Sequence, residues 1–357
     1  MKAFIHEQLP SRVVFGAGRL DALPAEADHL GADSVLLITS AAAKTAADRA
    51  GAMLGARLRI TITEVPPHVP VEQVEQARFS ARRAQADCVV TIGGGSSIGL
   101  GKAIALEQDV ALLAIPTTYS GSEMTPIFGI TAGQRKETGR DLRVLPRTVI
   151  YDPALTTSLP PEVTGASGMN ALAHSMEALY SQDANPVSSM LAEESIKALA
   201  RGLPVAVRTP EDMEGRSVSL YGAYLAGAAM AVTGVALHHT ICHVLGGTFG
   251  LAHADANAVM LPHVARFNSG HAPEAMERMA WALGAAGAPN GLFDLARRLG
   301  APRALSDLGM AEDDLEEAAR LATQALSYNP RPSTEADVLQ ILRDAHAGRH
   351  PSEVVSS

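Results

Sequence analysis

The chain divides by the period at which its apolar positions return. Within the first 150 residues, short unbroken runs of aliphatic and β-branched residues recur: Ser34 to Thr39, Arg59 to Thr63, Cys88 to Ile92 and Ala111 to Ile115. Between them lie Ala43 to Leu54, Val71 to Ala86 and a segment opening at Ser97, which read as helices. Continuous rather than alternating apolar runs suit strands covered on both faces, so the pattern predicts a parallel sheet flanked by helices, a Rossmann-like α/β unit. Beyond Leu159-Pro160-Pro161 the strand signals stop. Ala/Leu/Met-rich helical stretches replace them at Glu162 to Ser181, Pro186 to Arg201, Met213 to Val232, Leu237 to Leu245, Pro273 to Ala286, Gly291 to Leu299, Glu312 to Ala325 and Thr334 to Ala347. The predicted organisation is an α/β dinucleotide-binding domain over 1–158 and an all-α domain over 159–357 that carries substrate and catalysis. The polar end from Pro351 is expected to fray.

Composition narrows the partners. A chain of 357 residues exceeds what one core usually covers, and 47% hydrophobic with 19% charged residues is an ordinary globular balance. The net charge of −9, with no Lys/Arg cluster, argues against nucleic acid or an anionic membrane as partner. Met1 to Glu7 contains no apolar leader core, and Cys88 and Cys242 form no CxxC pair, so a cytoplasmic, reducing location is expected. Aromatic residues at 4% leave little material for stacking platforms.

Candidate chemistry gathers at two places. The run Cys88 to Ile92 feeds Gly93-Gly94-Gly95-Ser96-Ser97 and then a helix. Glycines at a strand's carboxyl end let backbone approach a phosphate, and the amides opening the helix favour an anion, so Gly94, Gly95 and Ser96 form a candidate phosphate cradle. The loop Thr117-Thr118-Tyr119-Ser120-Gly121-Ser122-Glu123 follows the next strand and offers hydroxyls to ribose and pyrophosphate. Ser40 is neutral where an NAD-selective fold often places an acid against the ribose, so NADH and NADPH are both expected to be accepted. The second place is helical: His239 and His243 are spaced i, i+4, His253 follows, and upstream Asn170 and His174 form another i, i+4 pair. Three histidines on facing helices can hold a divalent metal, usually beside a carboxylate. Here the fourth position is Asn170, whose neutral amide weakens a metal reading.

Together these segments resemble the iron-containing alcohol dehydrogenase family, which shares the dehydroquinate synthase-like architecture with glycerol dehydrogenase and dehydroquinate synthase. The likeness runs from Arg12-Val13-Val14-Phe15-Gly16-Ala17-Gly18 through the glycine loop, Tyr151-Asp152-Pro153 and Gly168-Met169-Asn170-Ala171-Leu172-Ala173-His174 to Leu261-Pro262-His263-Val264 and Phe267-Asn268. It implies pyrophosphate contacts from Gly94, Gly95 and Ser96, cofactor contacts from Thr117 and Thr118, and Lys136 near the nicotinamide ribose. It equates His174, His239 and His253 with the family's metal-ligand histidines, and His243 with a further active-site histidine. The departures are Gly99 for an aspartate, a glycine-serine loop one residue shorter, and Asn170 for the metal-binding aspartate. With Asn329-Pro330-Arg331-Pro332, they resemble a branch that uses NADH or NADPH to reduce a conjugated C=C bond of an oxo-dicarboxylate in bacterial aromatic catabolism. That likeness implies histidines serving the substrate without a metal, His243 as general acid with His239 and His253 as donors to substrate oxygens, and a homodimer. Asn170 is expected to donate to a carboxylate, with Tyr119 and Arg331 as substrate contacts and Arg140 and Arg143 as further cations for carboxylates. The nearest alternative is a metal-dependent dehydrogenase of the same family acting on a small alcohol or aldehyde, with His174, His239 and His253 holding Fe or Zn.

Overall fold

A computed structural model describes residues 3–66, 69–132 and 135–353, with the side chains of 132–136 also outside the description. Its first part alternates strand and helix: β1 (Arg12–Phe15), α1 (Leu23–Leu30), β2 (Val35–Thr39), α2 (Lys44–Leu54), β3 (Leu58–Ile62), α3 (Val71–Ala84), β4 (Cys88–Gly93), α4 (Gly95–Ala105) and β5 (Ala111–Pro116). A hairpin of β6 (Ile127–Ala132) and β7 (Arg135–Arg140) follows, then β8 (Thr148–Tyr151). Six strands form one parallel sheet in the order β1-β8-β5-β4-β2-β3, and β6 pairs antiparallel with β7 apart from it.

Three of the four expected runs, β2, β4 and β5, are buried along their whole length. The fourth, β3 at the sheet edge, alternates between half-buried and exposed positions, and the fully buried β8 is absent from the sequence expectation. Successive side chains of β2 serve opposite faces: Val35 and Leu37 pack with Leu23, Ala27, Ala47 and Ala50 of α1 and α2, whereas Leu36 and Ile38 pack with Val74, Ala77, Leu100 and Ile104 of α3 and α4. Chain order reverses direction between β2 and β4, because β3 lies outside β2 while β5 and β8 extend the other way. Such a switch point opens a crevice at the carboxyl ends of the strands, where open α/β sheets take their ligands. Buried Asp152 ties the exit of β1 to that of β8 by accepting from the amides of Gly18, Leu20 and Ala154.

From Pro161 the chain is helical: α5 (Pro161–Tyr180), α6 (Pro186–Arg208), α7 (Met213–Thr233), α8 (Leu237–Gly247), α9 (His253–Asn268), α10 (Pro273–Leu283), α11 (Ala288–Arg298), α12 (Leu315–Ala325) and α13 (Glu335–His346). Helix α5 is buried from Thr164 to Tyr180 and forms the axis about which the others pack. Helix α9 is absent from the sequence expectation. It is buried on nearly every side, with Asn257, His263 and Asn268 among its buried residues, and carries Pro262 in its interior, so it shows neither an amphipathic stripe nor a clean boundary. The largest apolar cluster joins the helices to Ile98, Ala114, Val149 and Tyr151 of the sheet region, so the sheet's flank and the helical part share one core. No single helix among the described residues is long and apolar enough to cross a membrane.

Candidate active site

A cleft of about 1820 Å³ separates the strand ends from the helices, with Gly95, Ser96 and Thr118 on one wall and Asn170, His174, His239, His243 and His253 on the other. The cradle wall is built from backbone. Gly94 caps α4, and the helix that follows points its first amides into the cleft. A Cβ on Gly93 would lie 2.4 Å from Ser97 Oγ, whereas one on Gly95 would meet protein only at 3.7 Å, from Ser120. Gly93 therefore needs glycine for the turn itself, and Gly95 leaves room for something other than protein. Ser40, at the end of β2, brings its hydroxyl 3.6 Å from the same Gly93 position, across the switch point. Thr117 donates its amide to Gly93 O at 3.0 Å and holds the two loops together. These loops fit a dinucleotide phosphate. Lys136 pairs with Thr131 in the hairpin, and its side chain lies outside the described residues.

The histidine wall is built from side chains on three helices. His174 and His239 stack at 4.7 Å between centroids, His239 and His243 lie 6.2 Å apart, and His243 stacks on His253 at 5.8 Å. The i, i+4 spacing and the turn between α8 and α9 thus make a ladder of four imidazoles. His174 Nε2 lies 3.0 Å from Ser120 O, and Asn170 Nδ2 bridges His174 Nε2 at 3.1 Å and Ser120 O at 3.2 Å. Burial, reinforced by neighbouring His239, holds the His174 ring down to about 3, so it is neutral at physiological pH.

Glu177 is the residue that sequence reading missed. It is fully buried, its Oε2 accepts from His239 Nδ1 at 2.6 Å and from the Ala236 amide at 2.7 Å, and its Oε1 accepts from the His238 amide at 2.8 Å. Burial pushes its carboxyl upward, and His238 together with these amides opposes the rise. The available signal was a lone carboxylate in the apolar run Ala171 to Tyr180, three positions beyond His174 on the same helix. Its contact fixes the tautomer of His239. With Nδ1–H donating to Glu177, Nε2 of the neutral ring carries the lone pair, so His239 donates to a substrate oxygen only after taking a second proton.

Two expected substrate contacts lie elsewhere. Tyr119 is fully buried, with its hydroxyl accepting from Arg216 Nη1 at 3.2 Å and 3.5 Å from Thr156 Oγ1. Arg216, also buried, reaches Pro210 O, Thr164 Oγ1 and Leu159 O, so Tyr119 belongs to a strut between the loop and the helices and does not face the cleft. Arg331 stacks on Phe267 at 4.1 Å and pairs with Asp337 at 3.3 Å, away from the cleft lining. Arg143 is turned to Asp141. The loop and the helical wall meet at one further point: a Cβ on Gly227 of α7 would stand 2.4 Å from Gly121 O, and Gly121 has φ +74°.

No group of three or more His, Cys, Asp or Glu side chains comes together in a metal-holding arrangement among the described residues. The rings of His174 and His239 are nearly parallel, His174 Nε2 is turned to a backbone carbonyl, and the neighbouring amide brings no negative charge.

Sequence comparison places this geometry in a family. The iron-containing alcohol dehydrogenase pattern matches residues 10–153, and the C-terminal pattern of the same family matches 164–346. The chain belongs to the iron-containing alcohol dehydrogenase family. Within that class it is 48% identical to a maleylacetate reductase of Burkholderia cepacia over 99% of this chain and 100% of the relative, and 47% identical to one of Sphingobium indicum over 98% and 99%. It also resembles the crystal structure of a maleylacetate reductase from Agrobacterium tumefaciens, with TM-score 0.93, 42% identity, and coverage of 98% of this chain and 100% of that one.

Proposed function

We propose that this chain is an NAD(P)H-dependent oxidoreductase that reduces the C=C bond of maleylacetate to give 3-oxoadipate, and that of chlorinated maleylacetates by the same chemistry. Full-length similarity to reductases of that name, at 48% and 47% identity, carries the reading. When bound, the reduced dinucleotide supplies a hydride. The acceptor is the carbon β to the ketone, and the electron pair of the double bond moves toward the ketone oxygen as an enolate. The protein's own task is to hold the dianion, stabilise that oxygen and deliver one proton to the carbon beside the carbonyl.

The four-imidazole ladder supports the proton step. His243 is half-buried between His239 and His253 and lines the cleft, which suits a general acid that gives its proton to the substrate and regains one from solvent. His239, when doubly protonated against Glu177, is a donor for the enolate oxygen, and His253 is a second. Asn170 is not the carboxylate donor expected from the sequence: its two amide hydrogens are taken by Ser120 O and His174 Nε2, so it acts by holding the His174 ring against the loop. No metal is required by this scheme. Ser40 beside the cradle supports use of both NADH and NADPH, and a large kinetic preference for either would count against that part. We also assign a cytoplasmic homodimer, which light scattering checks by mass.

Absorbance at the nicotinamide band, followed with maleylacetate and with simple aldehydes, each with and without chelator, decides the reading. Chelator-insensitive turnover of maleylacetate is the expected result. Aldehyde turnover that chelator abolishes and Fe²⁺ or Zn²⁺ restores would establish the metal-dependent alternative.

A further inference from the structure

A dianion needs permanent positive charge in the cleft, and the described lining offers two cations, Lys102 and Arg140, against the carboxylates of Glu162, Asp255 and Glu317. Lys102 is already committed. Its Nζ lies 2.7 Å from Ser122 O, 2.8 Å from Thr125 O, 3.1 Å from Thr125 Oγ1 and 2.7 Å from Ile127 O, and an ammonium has three hydrogens to give. It is a strut that pins the start of β6 to α4. Arg140 stands directly opposite Ile127 in the hairpin register, so the strut also sets the position of Arg140.

Arg140 is differently placed. It is exposed to solvent, and one of its five N–H donors is used: Nη2 reaches Ala231 O in the last turn of α7 at 2.6 Å. No carboxylate pairs with it among the described residues, in contrast to Arg143 with Asp141 and Arg331 with Asp337. The bond to Ala231 spans from hairpin to helix, so the guanidinium is held from both sides with its remaining edge open. Such a pre-oriented fork suits a carboxylate better than a mobile surface arginine does.

Depth decides which carboxylate. Asn170, His174 and His239 are 5%, 5% and 2% exposed and form the floor of the cleft. The conjugated half of the substrate, where hydride and proton arrive, must lie along that floor. The saturated arm beyond the ketone then extends toward solvent, where Arg140 stands. We propose that Arg140 anchors the carboxylate of this arm and so sets specificity for dianionic over monoanionic oxo-acids. The inference rests on the maleylacetate reading and deepens it.

Arg140→Met and Arg140→Lys test it through the KM for maleylacetate, the KM for NADH, and inhibition by the product 3-oxoadipate, with both carboxylates, and by its analogue 4-oxopentanoate, which lacks the arm's carboxylate. In Arg140→Met the maleylacetate KM and the 3-oxoadipate inhibition constant should each rise about 30-fold, as expected for a lost charged hydrogen bond, with kcat changed less than about threefold. Inhibition by 4-oxopentanoate and the NADH KM should stay at the values of the unaltered protein, which also shows that the variant is folded. Arg140→Lys should recover part of the loss, as a point charge without the fork. Equal weakening of both inhibitors, or an unchanged response to the dianions, overturns the assignment. Failure of the unaltered protein to reduce maleylacetate overturns the parent reading and the anchor with it.

Discussion

The two walls of the cleft solve their problems with different materials. The cradle is backbone: Gly93, Gly94 and Gly95 at a strand end, with helix amides aimed at the crevice and little that titrates. The histidine wall is side chain: four rings from α5, α8 and α9, with that of His239 oriented by a buried carboxylate on a helix of the same wall. A backbone site is fixed as soon as the sheet forms. A side-chain site exists only when three helices pack in the correct register, and its chemistry depends on proton positions that Glu177 and the depth of burial set.

Substitutions on the two walls should separate kcat from cofactor affinity. The largest effect is expected at His243→Ala, with kcat lowered about 10²- to 10⁴-fold and NADH affinity, read by fluorescence titration, nearly intact. Normal turnover in that variant removes the general-acid assignment and with it the division of labour. The next effect is expected at Gly95→Ala. The added methyl has ordinary clearance from Ser120 but occupies the cofactor's approach, so the NADH KM should rise about tenfold while kcat at saturating NADH holds. A fall in kcat with unchanged cofactor KM would mean that the loop belongs to the chemistry.

The smallest effect concerns stability. Burial holds His238 down to about 3 and His263 to about 4, against an ordinary value near 6.5. Between about pH 6.5 and 4 the unfolded chain therefore binds more protons than the folded one, and stability falls as pH falls. The contribution is complete above about pH 7.5. Tm should drop on moving from pH 8 to pH 5, and the drop should be shallower in His263→Leu. A slope of the same size in that variant would assign the acid sensitivity to other groups.

The inner strands β2, β4 and β5 are legible in sequence because both faces are covered, which forces continuous apolar runs such as Val35 to Thr39 and Ala111 to Pro116, whereas the inner strand β8 is only four residues long and passes unnoticed. The short edge strand β1 carries only three apolar residues in a row, β6 is broken by Gly129, and β7 reads Arg-Lys-Glu-Thr-Gly-Arg. Their strand character comes from pairing rather than pattern. Asn170, His174, His239, His243 and His253 stand out as residue types at suggestive spacings, and the fold brings them to one wall. Tyr119 and Arg331 show the limit of that kind of reading. Both sit in segments with chemical signatures, yet whether a side chain faces a cleft or a packed strut depends on partners distant in sequence, Arg216 for one and Phe267 with Asp337 for the other.

The contact of Gly121 with Gly227 places a condition on how this protein can be recombined. Main chain from the cofactor loop touches main chain of α7, so a side chain at residue 227 is admitted only if the loop retreats. A chimera that takes its sheet from one family member and its helices from another inherits this junction from two parents at once. It will assemble a working cleft only where both parents kept the space of a single hydrogen at that point. Shuffling libraries should accordingly show linkage between residues 121 and 227 stronger than their separation along the chain would suggest.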